Sequence, residues 1–154
     1  MGSIEYQRGR EAEGQRLFRS LPALPDEDGD LWQVINEAGD FLIQRENHAA
    51  GLEIFEAAVL RFPDRADLHQ SLACCAAHQR QRDRAIAGYQ RALELDPGRP
   101  DLTNDLGWSL FEAGRLEEAV EVLRRAVAMD PAYELARENL RHREATLARR
   151  KKKR

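Results

Sequence analysis

Residues 104–119 begin Asn104-Asp105-Leu106-Gly107-Trp108 and close Gly114-Arg115-Leu116-Glu117-Glu118-Ala119. Apolar residues at spacings of three and four, with a glycine between the two runs, read as two amphipathic helices joined by a tight turn. The stretch is one copy of a repeat. Working outward from it, Pro63, Pro97 and Pro131 recur every 34 residues. Small residues keep the same period at Gly39/Ala73/Gly107, Gly51/Ala85/Ala119 and Ala58/Ala92/Ala126. Between the last two sets lie the bulky Phe55, Tyr89 and Leu123, and Leu72/Leu106 and Leu42/Leu110 add further matches. A fixed period of this size means stacked supersecondary units, none of which can bury its apolar face alone.

The pattern predicts first helices near 32–44, 66–78 and 100–112 and second helices near 48–61, 82–95 and 116–129. Small residues let paired helices approach to roughly 8–10 Å, and the bulky residue fills the space between them. Each proline ends a second helix, because it lacks an N–H and disfavours helix in the residue before it. Residues 134–150 read as one more helix, with Ala136, Leu140 and Leu147 on one face and charge on the other, as a solvating cap requires.

The period and its residue classes resemble the tetratricopeptide repeat (TPR) family. The resemblance covers about 32–133. It departs where the family's usual Trp is replaced by Ile35, His69 and Thr103, and where one usual Leu is Ala38. It implies an all-α solenoid of antiparallel helix pairs, with repeats at 32–65, 66–99 and 100–133. An N-terminal arm at 1–31, a capping helix at 134–150 and a basic tail at 151–154 complete the expected layout. In the arm, Glu11–Ser20 is a short candidate helix. Pro22 and Pro25 break it, and Asp26–Asp30 is an acidic linker. Packing on the first repeat and a mobile arm both fit.

Net charge is −3, but it is unevenly placed. Residues 141–154 hold eight basic side chains and one acid, and the first 140 residues carry a net −10. All three lysines are Lys151, Lys152 and Lys153. The tail lacks interleaved aromatics and the body lacks a basic patch, which argues against nucleic acid. Contact of the tail with an acidic face, in its own chain or a neighbour, fits the asymmetry. No run approaches the ~18 apolar residues of a membrane span. The start, Met1-Gly2-Ser3-Ile4-Glu5, lacks the apolar core of a secretory signal. The adjacent Cys74 and Cys75 make no disulfide framework. A cytoplasmic protein is expected.

In the family, the first helices line a concave face that commonly holds a partner segment. The resemblance places Asn36, Glu37 and Asp40 of the first repeat on that face, with Gln70, Cys74 and His78 of the second. The third contributes Asn104, Asp105, Trp108, Phe111 and Glu112, and the cap adds Asn139. Trp108 and Phe111 are the candidate anchors, because aromatics dominate binding hot spots; packing against neighbouring helices is the competing use. Asn36, Asn104 and Asn139 are candidates for bonding a bound main chain. One TPR subgroup clamps acidic chaperone tails with Lys, Asn and Arg. Here the matching positions are Asn36, Asp40, Ser71, Asp101 and Asp105, so the expected partner is basic or neutral. Asp67 and Asp101 begin helices, where a carboxylate meets free N–H groups.

Signals for chemistry are weak. Cys74 and His78 share a helical face, but two ligands do not make a structural zinc site. There is no phosphate loop, nucleophile elbow or His-Glu-x-x-His run. The sequence therefore predicts a non-catalytic interaction scaffold without metal or cofactor. By layout it is also similar to bacterial class II type III secretion chaperones, and a self-associating assembly module is a third reading.

Overall fold

A computed structural model describes residues 2, 3, 9 and 11–152. The described residues form eight α-helices, a short 3₁₀ turn and no strand. The expected arm and tail include residues 1, 4–8, 10, 153 and 154, which lie outside the described residues. The chain divides into two compact units, residues 1–80 and 81–154.

The first unit contains α1 (Glu11–Ser20), the 3₁₀ turn Leu21–Ala23, α2 (Leu31–Gln44), α3 (His48–Arg61) and α4 (Ala66–His78). Helix α3 packs on both α2 and α4, and α2 also meets α4. Ile35, Leu42, Ile54, Phe55, Leu68 and Cys75 are almost wholly buried. Burying each of the large aliphatic and aromatic side chains stabilises the fold by about 1.5–3 kcal/mol. A Cβ built on Gly39 would lie 2.0 Å from Cζ of Phe55, so only glycine lets the ring cross α2 at that point.

The N-terminal segment packs on this unit. Phe18 of α1 is buried edge-to-face against Phe41 of α2, with ring centroids 5.8 Å apart. Arg19 pairs with Glu53 of α3 at 2.5 Å. The Arg61 guanidinium donates to the carbonyl oxygens of Pro22, at 2.7 Å, and Leu24. Of the two readings open to the sequence, these contacts match packing on the first helix pair.

The second unit contains α5 (Arg82–Leu95), α6 (Pro100–Glu112), α7 (Leu116–Met129) and α8 (Glu134–Lys151). Helix α6 packs on α5 and α7, and α8 packs on α7 and α6. Leu102, Thr103, Val120 and Leu123 fill its interior, beside the fully buried alanines 85, 92, 119, 126 and 136. A Cβ on Gly107 would lie 2.7 Å from Cγ of Leu123. The same small-against-large device therefore operates in both units.

Helices α3, α5 and α7 end at Arg61, Leu95 and Met129, each two residues before one of the periodic prolines. First helices α2, α4 and α6 end through a second periodic device. Glu46, Arg80 and Gly114 follow them 34 residues apart, all with left-handed φ of 59°, 59° and 79°. Their N–H groups donate to the carbonyls of Ile43, Ala77 and Phe111 and satisfy otherwise free helix ends. Only one of the three is glycine, so composition at this position hides the period.

Candidate functional site

In the first unit the expected residues come from α2 and α4. Asn36 is half-buried; its amide donates to Asp40 Oδ2 at 3.2 Å and its carbonyl accepts from Ser71 Oγ at 3.2 Å. This bond crosses from α2 to α4. Glu37 is exposed, and Asp40, Gln70 and Cys74 are half-buried. Burial, and then the neighbouring charges of Asp67 and Glu37, push the Asp40 carboxyl above its ordinary range. His78 is exposed and stacks flat on His48 of α3, with centroids 3.8 Å apart and planes 6° from parallel. Burial and the proximity of His78 hold His48 below the usual imidazole range, against an opposing pull from Glu46.

In the second unit the residues come from α6 and α8. Asn104 is 2% exposed and Asn139 9% exposed; Nδ2 of Asn139 donates to Oδ1 of Asn104 at 2.9 Å. This bond and Asn36–Ser71 both join residues 35 apart, one step beyond the repeat length. Each ties two first helices together, with α8 acting as the last. The amides assigned by sequence to a bound main chain are thus used between helices. Buried amides need such partners, because an unmet buried polar group costs about 1–3 kcal/mol.

Asp105 is half-buried, and Asn104 Nδ2 reaches its Oδ1 at 3.3 Å. Burial raises its carboxyl, Asn104 partly opposes that, and Asp101 adds repulsion. Asp101 differs. The Arg99 fork holds it at 3.0 and 2.7 Å and lowers its carboxyl, with help from backbone N–H groups at the start of α6. Glu112 is exposed. Among the described residues, no cationic side chain forms a salt bridge with Asp105 or Glu112.

Trp108 is 44% exposed and Phe111 half-buried, with ring centroids 6.2 Å apart. The sequence reading missed their main companion. Arg143 of α8 places its guanidinium carbon 3.8 Å from the Phe111 centroid and 4.6 Å from that of Trp108. It is 8% exposed, and its Nε has no hydrogen-bond partner. Burial lowers its pKa, opposed by the charge of Glu112. Arg143 continues the 136-140-147 stripe of α8 at helical spacing, which is the signal that could have found it.

A family model described as the tetratricopeptide repeat matches residues 36–100 and again 76–134. The chain belongs to the tetratricopeptide repeat family. These repeats are protein-interaction scaffolds, built here as an all-α solenoid. The small glutamine-rich tetratricopeptide repeat-containing protein 2 of Mycosarcoma maydis is 27% identical over 115 residues, 75% of this chain and 33% of that protein. The chain therefore spans about a third of the length of this curated relative. The crystal structure of MamA superposes with a TM-score of 0.77 at 14% identity, covering 96% of this chain and 85% of that one. The first TPR of Spaghetti (RPAP3), bound to the HSP90 peptide SRMEEVD, gives 0.73 at 19% identity, covering 76% and 93%. At these identities the likeness of the structures is one of fold. Among the described residues, no helix is long and apolar enough to cross a membrane.

Proposed function

We propose that this TPR chain is a non-catalytic scaffold that holds a basic or neutral partner segment against its first helices. In this reading, repeats at 32–65, 66–99 and 100–133 supply the scaffold and 134–150 caps it. The observation that carries the proposal is a set of first-helix carboxylates that form no salt bridge among the described residues. Asp40 in one unit and Asp105 in the other sit where burial and like charges raise their carboxyls. A partner's cation relieves that repulsion, whereas an acidic segment such as the one bound by the RPAP3 repeat adds to it. Glu37 and Glu112 extend the two faces, with Gln70, Cys74 and His78 in the first unit beside them. Trp108 and Phe111 provide the apolar contact in the second unit. Asn36, Asn104 and Asn139 serve by fixing the spacing of the helices that carry these groups.

The absence of catalysis is part of the proposal. The Cys75 thiol is buried and pushed up to about 12, far from the reactive thiolate range. The flat His48–His78 stack also points both ring planes in parallel, so the two rings cannot direct lone pairs at one ion.

The test is capture of partners on immobilised wild-type chain beside Trp108→Ala and Asp105→Asn. The wild type is expected to retain proteins with basic segments that both variants lose. Trp108→Ala should weaken a purified partner by at least ~2 kcal/mol while its helical signal is preserved. Identical capture by all three proteins, or retention of acidic segments only, would overturn the reading.

A further inference from the structure

We infer that Trp108, with Asp105 one turn before it and Glu112 one turn after it on α6, is a recognition site for an arginine side chain of the partner segment. The inference rests on the scaffold reading above and names the residue type that this site selects. Its first support is the chain's own arginine. Arg143 has left water almost completely, at 8% exposure, to lie over Trp108 and Phe111. Its Nε finds no hydrogen-bond acceptor there, and no carboxylate forms a salt bridge with it. The ring faces therefore hold a guanidinium in place without a directed ion pair. That is the behaviour of a planar, weakly hydrated cation on an aromatic surface, and a compact, strongly hydrated lysine ammonium shares it less.

The second support is what remains unused. With Arg143 in place, Trp108 is still 44% exposed. The carboxylates three residues before and four residues after it lie on its own helical face. Neither forms a salt bridge among the described residues. Asp105 accepts one bond from Asn104 and Glu112 faces the charge of Arg143, yet both keep further lone pairs, so an indole surface beside them offers an arginine a flat face to stack on and oxygens for its N–H fork. Arg143 forms the inner wall of the site, and the partner's guanidinium takes the open indole surface.

Three capped hexapeptides test this: hexa-arginine, hexa-lysine and hexa-glutamate. Arginine and lysine peptides carry equal charge, so a difference between them reports stacking rather than general attraction. Titration is followed by calorimetry and by the Trp108 indole N–H resonance, assigned from its loss in Trp108→Phe. Hexa-arginine is expected to bind about three- to fivefold tighter than hexa-lysine and to shift that resonance. Trp108→Ala should bring the two affinities together, and Trp32→Phe should leave the preference intact. Equal affinities with an unmoved indole would overturn the arginine site while leaving a basic partner in place. Failure of both cationic peptides, or tighter binding of hexa-glutamate, would overturn the scaffold's charge preference as well.

Discussion

The two units place an arginine on a tryptophan in different ways. In the first, Arg65 lies 4.3 Å from the Trp32 ring at the start of α4, where Arg65 is exposed. In the second, Arg143 is buried over two rings on the face that also carries Asp105 and Glu112. The polar bonds between first helices differ in the same sense. Asn36 and Ser71 meet in a half-buried setting, and Asn104 and Asn139 meet in a buried one. The two polar bonds stand two repeat lengths apart, so one register gives a less and a more buried version of the same bond, whereas the two arginine–tryptophan pairs stand at different positions of the repeat. Burial, more than residue type, sets what each contact is worth.

The largest effect expected from this comparison concerns the small residues of the two first helices. Gly39→Ala forces a methyl to 2.0 Å from Cζ of Phe55, a rigid ring that is fully buried. Gly107→Ala meets Leu123 at 2.7 Å, where a branched aliphatic chain adjusts more easily. Gly39→Ala should cost about 2–3 kcal/mol and Gly107→Ala about 1 kcal/mol. Urea unfolding of both variants measures it. Equal losses would show that both interiors yield alike and that the nature of the large partner does not matter.

Next in size are the two polar bonds. Asn104→Ala leaves the Asn139 amide buried without its acceptor and should cost about 1–3 kcal/mol. Asn36→Ala removes a bond whose Asn36 and Asp40 ends are half-buried while Ser71 is buried, and should cost about 1 kcal/mol. Chemical unfolding followed by helical circular dichroism separates the two. If Asn36→Ala proves the more damaging, the assignment of less and more buried versions is reversed.

Much of this was legible in the sequence, and the limits have a physical cause. A 34-residue period in proline and small residues marks helix ends and close approaches, which are local backbone demands. The helices accordingly fall at Leu31–Gln44, His48–Arg61 and onward, within a residue of their predicted ends. Partners across helices are different. Asn36, Asn104 and Asn139 share a face with candidate contacts, and a single helix does not reveal that the next first helix supplies their bond at 35 residues. Arg143 was hidden because an arginine on an apolar stripe reads as an interruption until two aromatic faces are found opposite it. Asp101 stands at a helix start, where a carboxylate meets free N–H groups. That role is present, but Arg99 is its first partner. The left-handed positions Glu46 and Arg80 escaped because two of the three do not carry the glycine that such a backbone favours.

The smallest effect separates the units by pH. Both contain a carboxyl raised by burial, Asp40 and Asp105, but the histidine pair belongs to the first unit. His48 has its pKa lowered in the fold, so the unfolded chain takes up that proton first as pH falls below about 6.5. The fold is then disfavoured on the acid side of that value, while above it His48 is neutral in both states and contributes nothing. The effect should stay well under the roughly 1.4 kcal/mol of one full pKa unit, because the ring is partly screened by water. His48→Gln keeps a polar group at the start of α3 and removes the titration. Wild type is expected to lose more thermal stability than His48→Gln between pH 7.5 and 5.5. Parallel curves would mean that the stacked imidazoles carry no pH-dependent strain, and that the units differ in burial without differing in proton linkage.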